Sequence, residues 1–126
     1  MTQSLLFIFL GGGLGAVLRY GLSHFSRVVL GASVGGTLAA NLVGAFLMGL
    51  LMAWSGTSER LSPSVQLGLT AGLLGGLTTF STFSFETLEF LKNGEVAWGA
   101  LYGLGSLLGC LFFCGLGYRM FAPLQG

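Results

Sequence analysis

The charged residues of this chain are Arg19, Arg27, Glu59, Arg60, Glu86, Glu89, Lys92, Glu95 and Arg119, and they divide it into long apolar runs. A helix needs ~20 apolar residues to cross the hydrocarbon of a bilayer. The 126 residues therefore have room for four such helices, with short loops and no soluble domain. With 53% hydrophobic and 7% charged residues and a mean hydropathy of +0.86, this is a membrane protein.

The expected fold is all-α, a single four-helix transmembrane domain over residues 1–126. Hydropathy places the helices from about Ser4 to Ser23, Ser33 to Trp54, Pro63 to Leu91 and Glu95 to Met120. Tyr20, Trp54, Trp98 and Tyr118 fall near these ends, where amphipathic rings prefer to sit. Asn93-Gly94 supplies a helix stop. Met1 to Ser4 has no basic segment and no small-residue cleavage site follows, so the first helix is expected to be retained.

Four spans put the loop around Arg60 and the segment around Arg119 on one side, and Arg27 and Lys92 on the other, with Arg19 near the end of the first helix. That balance gives the positive-inside rule little to act on. It permits insertion in both orientations, and so an antiparallel dimer; equally, one residue or the translocation machinery decides. The 23 glycines include pairs at GxxxG spacing: Gly11/Gly15, Gly31/Gly35, Gly72/Gly76, Gly99/Gly103 and Gly105/Gly109. Such pairs let helices approach closely and favour oligomers. Gly11-x-Gly13-x-x-Ala16 is not a dinucleotide loop, because no strand precedes it.

The charge-free run from Leu61 to Phe85 contains Gly75-Gly76-Leu77-Thr78-Thr79-Phe80-Ser81-Thr82-Phe83-Ser84-Phe85, with two adjacent glycines, five hydroxyls and three phenylalanines. Paired glycines invite a break in the helix near Gly75-Gly76. Backbone groups freed at membrane depth must be satisfied by protein, water or an ion. Carbonyls of Gly75 to Thr78 are hard oxygens suited to a small hard cation, and a two-fold axis there would let two subunits close a cage around one ion. Phe80 and Phe83 lie three apart on one helix face that Glu86 continues. Their positive ring edges can solvate an anion stripped of water, and the interleaved hydroxyls donate to anions too.

Polar groups inside a membrane are functional candidates by default. Asn41, with Thr37 one turn earlier, serves equally as a pore donor or as glue between helices. Tyr102 and Ser106 place a phenol and a hydroxyl on one face of the last helix. Cys110 and Cys114, four apart in an apolar run, make neither a zinc site nor a structural disulfide and read as packing or pore-wall residues. Without Asp, with His24 alone near an interface and with no paired carboxylates in a cavity, the chain presents no catalytic set. A net charge of +1 without basic runs excludes a nucleic-acid surface.

These residues match a known pattern. The chain resembles the small bacterial fluoride channels, the Fluc or CrcB family, over essentially its whole length. The resemblance rests on Gly12-Gly13-x-Gly15-Ala16-x-x-Arg19, on Gly36-Thr37-x-x-x-Asn41-x-x-Gly44, on the long motif from Gly72 through Ser84 with Glu86, and on Tyr102 with Ser106. It implies a passive, fluoride-specific channel of the cell inner membrane that lowers cytoplasmic fluoride and its toxicity. It also implies an antiparallel, dual-topology homodimer embedded in lipid, with two pores and a central structural sodium ion that is not transported. Carried over by position, Gly75 and Thr78 would give their carbonyls to sodium. Phe80 and Phe83 would line the fluoride path with Asn41 as a donor; Tyr102, Ser106, Thr37 and Thr79 would line or support it; Arg19 and Glu86 would take vestibule or structural roles. Where the family often carries hydroxyls in the last helix, this chain has Cys110 and Cys114, so a polar track there is expected to be weaker.

The alternative from another class is a proton-coupled exporter of the small multidrug type. That mechanism needs a carboxylate in the first membrane helix, and here the only ion of that helix is Arg19.

Overall fold

The computed structural model describes residues 1–56 and 61–121. Glu59 and Arg60 lie outside them. All regular structure among the described residues is helical: α1 Thr2–Leu30, α2 Val34–Ser55, α3 Pro63–Leu67, a π-helical segment Gly68–Leu74, α4 Gly75–Leu77, α5 Phe80–Lys92 and α6 Val96–Phe121. Three of these, α1, α2 and α6, are long and apolar enough to cross a membrane. The third hydropathic run is in pieces, of which α5, with 13 residues, is the longest.

α1 does not end at Ser23 as expected but continues to Leu30. Residues 24–30 contain neither glycine nor proline, so nothing stops the helix until Gly31 adopts a left-handed φ of 76° and returns its N–H to the Arg27 carbonyl at 3.0 Å. Arg19 is therefore well inside α1. The Asn93-Gly94 stop falls where the sequence places it: Gly94 has φ 79°, and the Glu95 N–H reaches back 2.9 Å to the Phe90 carbonyl.

The position of the break is a second correction. Gly75 and Gly76 are helical, and the chain becomes extended at Thr78 (ψ 154°) and Thr79 (φ −149°, ψ 120°). The glycines serve packing instead. A Cβ on Gly76 would run into the Gly12 carbonyl, one on Gly15 into the Leu73 carbonyl, and one on Gly11 into the Gly68 carbonyl. A Cβ on Gly72 would stand 2.9 Å from the Ile8 carbonyl. Backbone thus lies on backbone along the crossing, and a glycine on at least one side of each contact permits it.

α2 and α6 cross in the same way: a Cβ on Gly49 would strike the Cys114 carbonyl and one on Gly117 the Phe46 carbonyl. The other expected pairs behave differently. Gly31 is a helix cap, Gly105 faces open space, and Gly99, Gly103 and Gly109 meet only side chains. The fully buried side chains are few, Leu74 and Thr37 being the largest. Large apolar side chains along α1, α5 and α6 are exposed, as suits helices in lipid.

Candidate functional site

The break is held by a side chain from another helix. Asn41 Nδ2 donates to the Thr79 carbonyl at 3.1 Å, and its Oδ1 accepts the Thr79 N–H at 2.8 Å. Thr79 in turn caps α5, its Oγ1 accepting the Thr82 N–H at 3.2 Å. In an uninterrupted helix the N–H groups of Thr79 and Thr82 would go to the carbonyls of Gly75 and Thr78. Both donors are diverted, so the two carbonyls expected to hold a cation are the two that these diversions release. The neighbouring Gly76 carbonyl accepts from Arg19 Nε at 3.1 Å, which anchors the guanidinium to the same segment.

Beside the break lies a cavity of about 350 Å³, whose lining includes Asn41, Thr78, Thr79, Phe80, Phe83 and Ser106. The Phe80 and Phe83 rings are 5.7 Å apart and tilted by 50°. Phe83 continues to Tyr102 at 5.4 Å, and Tyr102 to Phe90 at 5.9 Å. Tilted rings present edges as well as faces, and edges carry the positive end of the quadrupole. Phe80 is 80% exposed in the single chain. Ser106 is only 5% exposed, yet its Oγ has no hydrogen-bond partner among the described residues. An unpartnered buried hydroxyl on a cavity wall is a free donor for whatever enters.

Glu86 is the hub of a second cluster. Its carboxylate is 5% exposed and accepts from Ser33 Oγ at 2.9 Å and Thr37 Oγ1 at 3.0 Å through one oxygen, and from Tyr102 Oη at 2.7 Å through the other. Charge-assisted bonds of this kind let a carboxylate exist in the interior. Glu86 also lines a cavity of about 390 Å³ at the α1–α2 turn, with Arg27, Ser33, Glu89, Phe90 and Glu95. Tyr102 packs on Phe90 from that cavity and on Phe83 from the other, so the phenol and its carboxylate form the partition between them.

The structure thus divides the expected site residues into groups. Asn41, Thr78, Thr79, Phe80, Phe83 and Ser106 share one cavity; Thr37, Tyr102 and Glu86 form the partition; Gly75 lies in the broken segment, and Arg19 of α1 is anchored to it through the Gly76 carbonyl. Ser33 was missed by sequence reasoning, although Ser33, Thr37 and Asn41 recur every fourth residue. Gly44 was named only as part of a motif; it makes room for the Thr78 methyl, a role no pattern announces. Cys110 and Met48 line the Phe80 cavity, whereas the Cys114 carbonyl sits at the Gly49 crossing.

Residues 6–118 match the family described as CrcB-like protein, Camphor Resistance (CrcB). A protein of Geotalea daltonii is 47% identical over 91% of this chain and 94% of its own length. One of Thermus thermophilus is 46% identical over 96% and 97%, and one of Cronobacter sakazakii 42% over 99% and 98%. Each of the three is named fluoride-specific ion channel FluC. The family match over nearly the whole chain, together with identities above 40%, makes this chain a member of the CrcB-like family.

Proposed function

We propose that the chain is a channel rather than an enzyme, and that it carries fluoride passively across the cytoplasmic membrane, lowering fluoride inside the cell. The observation that carries this reading is the cavity in which the Phe80 and Phe83 rings, Asn41 and the unpartnered Ser106 hydroxyl meet. The names of the three relatives support it. Fluoride holds its water tightly, so a narrow path must replace that water with donors and ring edges. Ser106 supplies a donor. Asn41 keeps one amide hydrogen beyond its bond to the Thr79 carbonyl. Tyr102 and Thr37 donate to Glu86, and an anion passing the partition would compete with that carboxylate for the same hydroxyl hydrogens.

The broken segment from Pro63 to Lys92 serves as the fourth span, and two chains associate antiparallel in lipid, with dual topology. The exposed Phe80 face and the apolar faces of α1 and α6 are the surfaces this association would cover. The carbonyls of Gly75 and Thr78, released from helical bonding, fit a hard cation such as sodium. Two from each subunit would hold it at the centre, where it is structural and supplies a favourable field to anions on either side.

The test is efflux from liposomes loaded with fluoride or chloride and followed with ion-selective electrodes. Rapid fluoride loss with chloride retained is the expected result. Equal loss of both ions, or fluoride loss that requires a proton gradient, would sink the channel reading.

A further inference from the structure

Cys110 carries a free thiol, is half-buried, and lines the cavity that holds Phe80 and Phe83. Met48 of α2 lines the same cavity, so a thiol and a thioether share one space. One turn before Cys110 on α6 stands Ser106, 95% buried by its 5% exposure, on the same wall and with its Oγ unpartnered among the described residues. The cavity, at about 350 Å³, is far larger than one desolvated ion.

We infer that Cys110 and Met48 form a binding site for a soft monovalent d10 cation, silver(I) or copper(I), within the anion path, and that filling it closes the path. Thiolate and thioether sulfur select soft cations of this kind over hard ones. Binding exchanges one ion for another: the Cys110 S–H bond breaks, the thiolate forms a bond to the cation, and the proton leaves to water with no electron transferred. The thiolate and the cation cancel in charge. The closed state therefore has a neutral plug beside the phenylalanine rings, not a positive charge that would attract fluoride. Ser106 Oγ, one turn away, supplies a weaker oxygen contact. The closing part of this inference rests on the proposal that the cavity is the fluoride path, whereas the binding part does not.

Two measurements separate those parts. Silver nitrate is titrated into purified protein in chloride-free buffer and bound silver is counted per chain; fluoride efflux is then followed from liposomes with and without silver. Cys114→Ser, which keeps Cys110 as its one thiol, is expected to bind about one silver per chain and to lose most of its efflux. In that background Met48→Leu should weaken binding by about tenfold or more, and Cys110→Ser should lose it and keep its own efflux in silver. Undiminished silver binding in Cys110→Ser, or none in the wild type, overturns the site. Silver bound through Cys110 with efflux unslowed upholds the site and overturns the closing. Silver bound through Cys110 in a protein that passes no fluoride even before silver is added upholds the site and sinks the fluoride reading.

Discussion

Asn41 and Thr79 exchange two hydrogen bonds, at 3.1 and 2.8 Å, so that one side-chain amide accepts the N–H that the extended Thr79 no longer gives to a helix and adds a donor to its carbonyl. Asn41→Ala leaves the Thr79 N–H without its partner, at about 1–3 kcal/mol for an unsatisfied buried group, while the carbonyl keeps its place as the first acceptor of α5. The expected outcome is a protein that loses most of its fluoride efflux and melts at lower temperature. Asn41→Asp keeps an acceptor for the Thr79 N–H but turns a second oxygen toward the Thr79 carbonyl, so it too should be less stable than the wild type, read by thermal denaturation in detergent.

Gly76→Ala drives a Cβ into the Gly12 carbonyl, where backbone meets backbone and neither side can turn away. Destabilisation of about 1–3 kcal/mol is expected. Gly105→Ala adds its Cβ to open space within the chain and should change stability by less than about 0.5 kcal/mol. A comparable loss in both variants would show that the α1 crossing does not set stability.

Removing the Tyr102 hydroxyl or neutralising Glu86 disturbs the same 2.7 Å bond, so the two changes should not add. In a double-mutant cycle of Tyr102→Phe with Glu86→Gln, a coupling of about 0.5–3 kcal/mol is expected. Additive effects would mean that the partition is held by packing alone.

Phe80→Ile and Phe83→Ile both remove a ring edge from the cavity, and both are expected to abolish fluoride flux while leaving the protein assembled. Their stabilities should differ, because Phe83 packs on Tyr102 at 5.4 Å while Phe80 is 80% exposed in the single chain. Phe83→Ile should cost about 0.5–1.5 kcal/mol more in stability through the lost ring pair. Unchanged flux in either variant would remove the ring edges from the mechanism.

If the Gly75 and Thr78 carbonyls hold sodium, the folded protein gains stability from it by mass action. The thermal midpoint should rise when sodium replaces N-methylglucamine at equal ionic strength. An unchanged midpoint would take sodium out of the assembly.

Much of this layout is legible in the sequence because lipid narrows the choices. Apolar runs between Arg19, Arg27, Glu86 and Arg119 announce helices, and a hydroxyl and an amide four apart on α2, Thr37 and Asn41, announce a polar face. The break was legible in kind but misplaced by three residues. Glycine pairs mark both flexibility and close approach, and only the position of Gly12 opposite Gly76 decides for approach. Glu86 shows the same limit. Its place on the phenylalanine face is visible in the spacing, but the three hydroxyls that make its burial tolerable come from α6 and from the start of α2, far along the chain. The Arg60 side of the charge comparison stays outside the described residues.

Arg19 finds its acceptor, the Gly76 carbonyl, 57 positions downstream. If the chain inserts from its N-terminus, α1 enters the bilayer before the segment that carries that carbonyl, and Gly11 and Gly15 then have no backbone to meet. The hairpin of α1 and α2 is thus an unfinished assembly with a guanidinium waiting for its partner. Arrival of Gly68 to Gly76 completes it, and this ties the order of translation to the moment at which the protein first becomes whole.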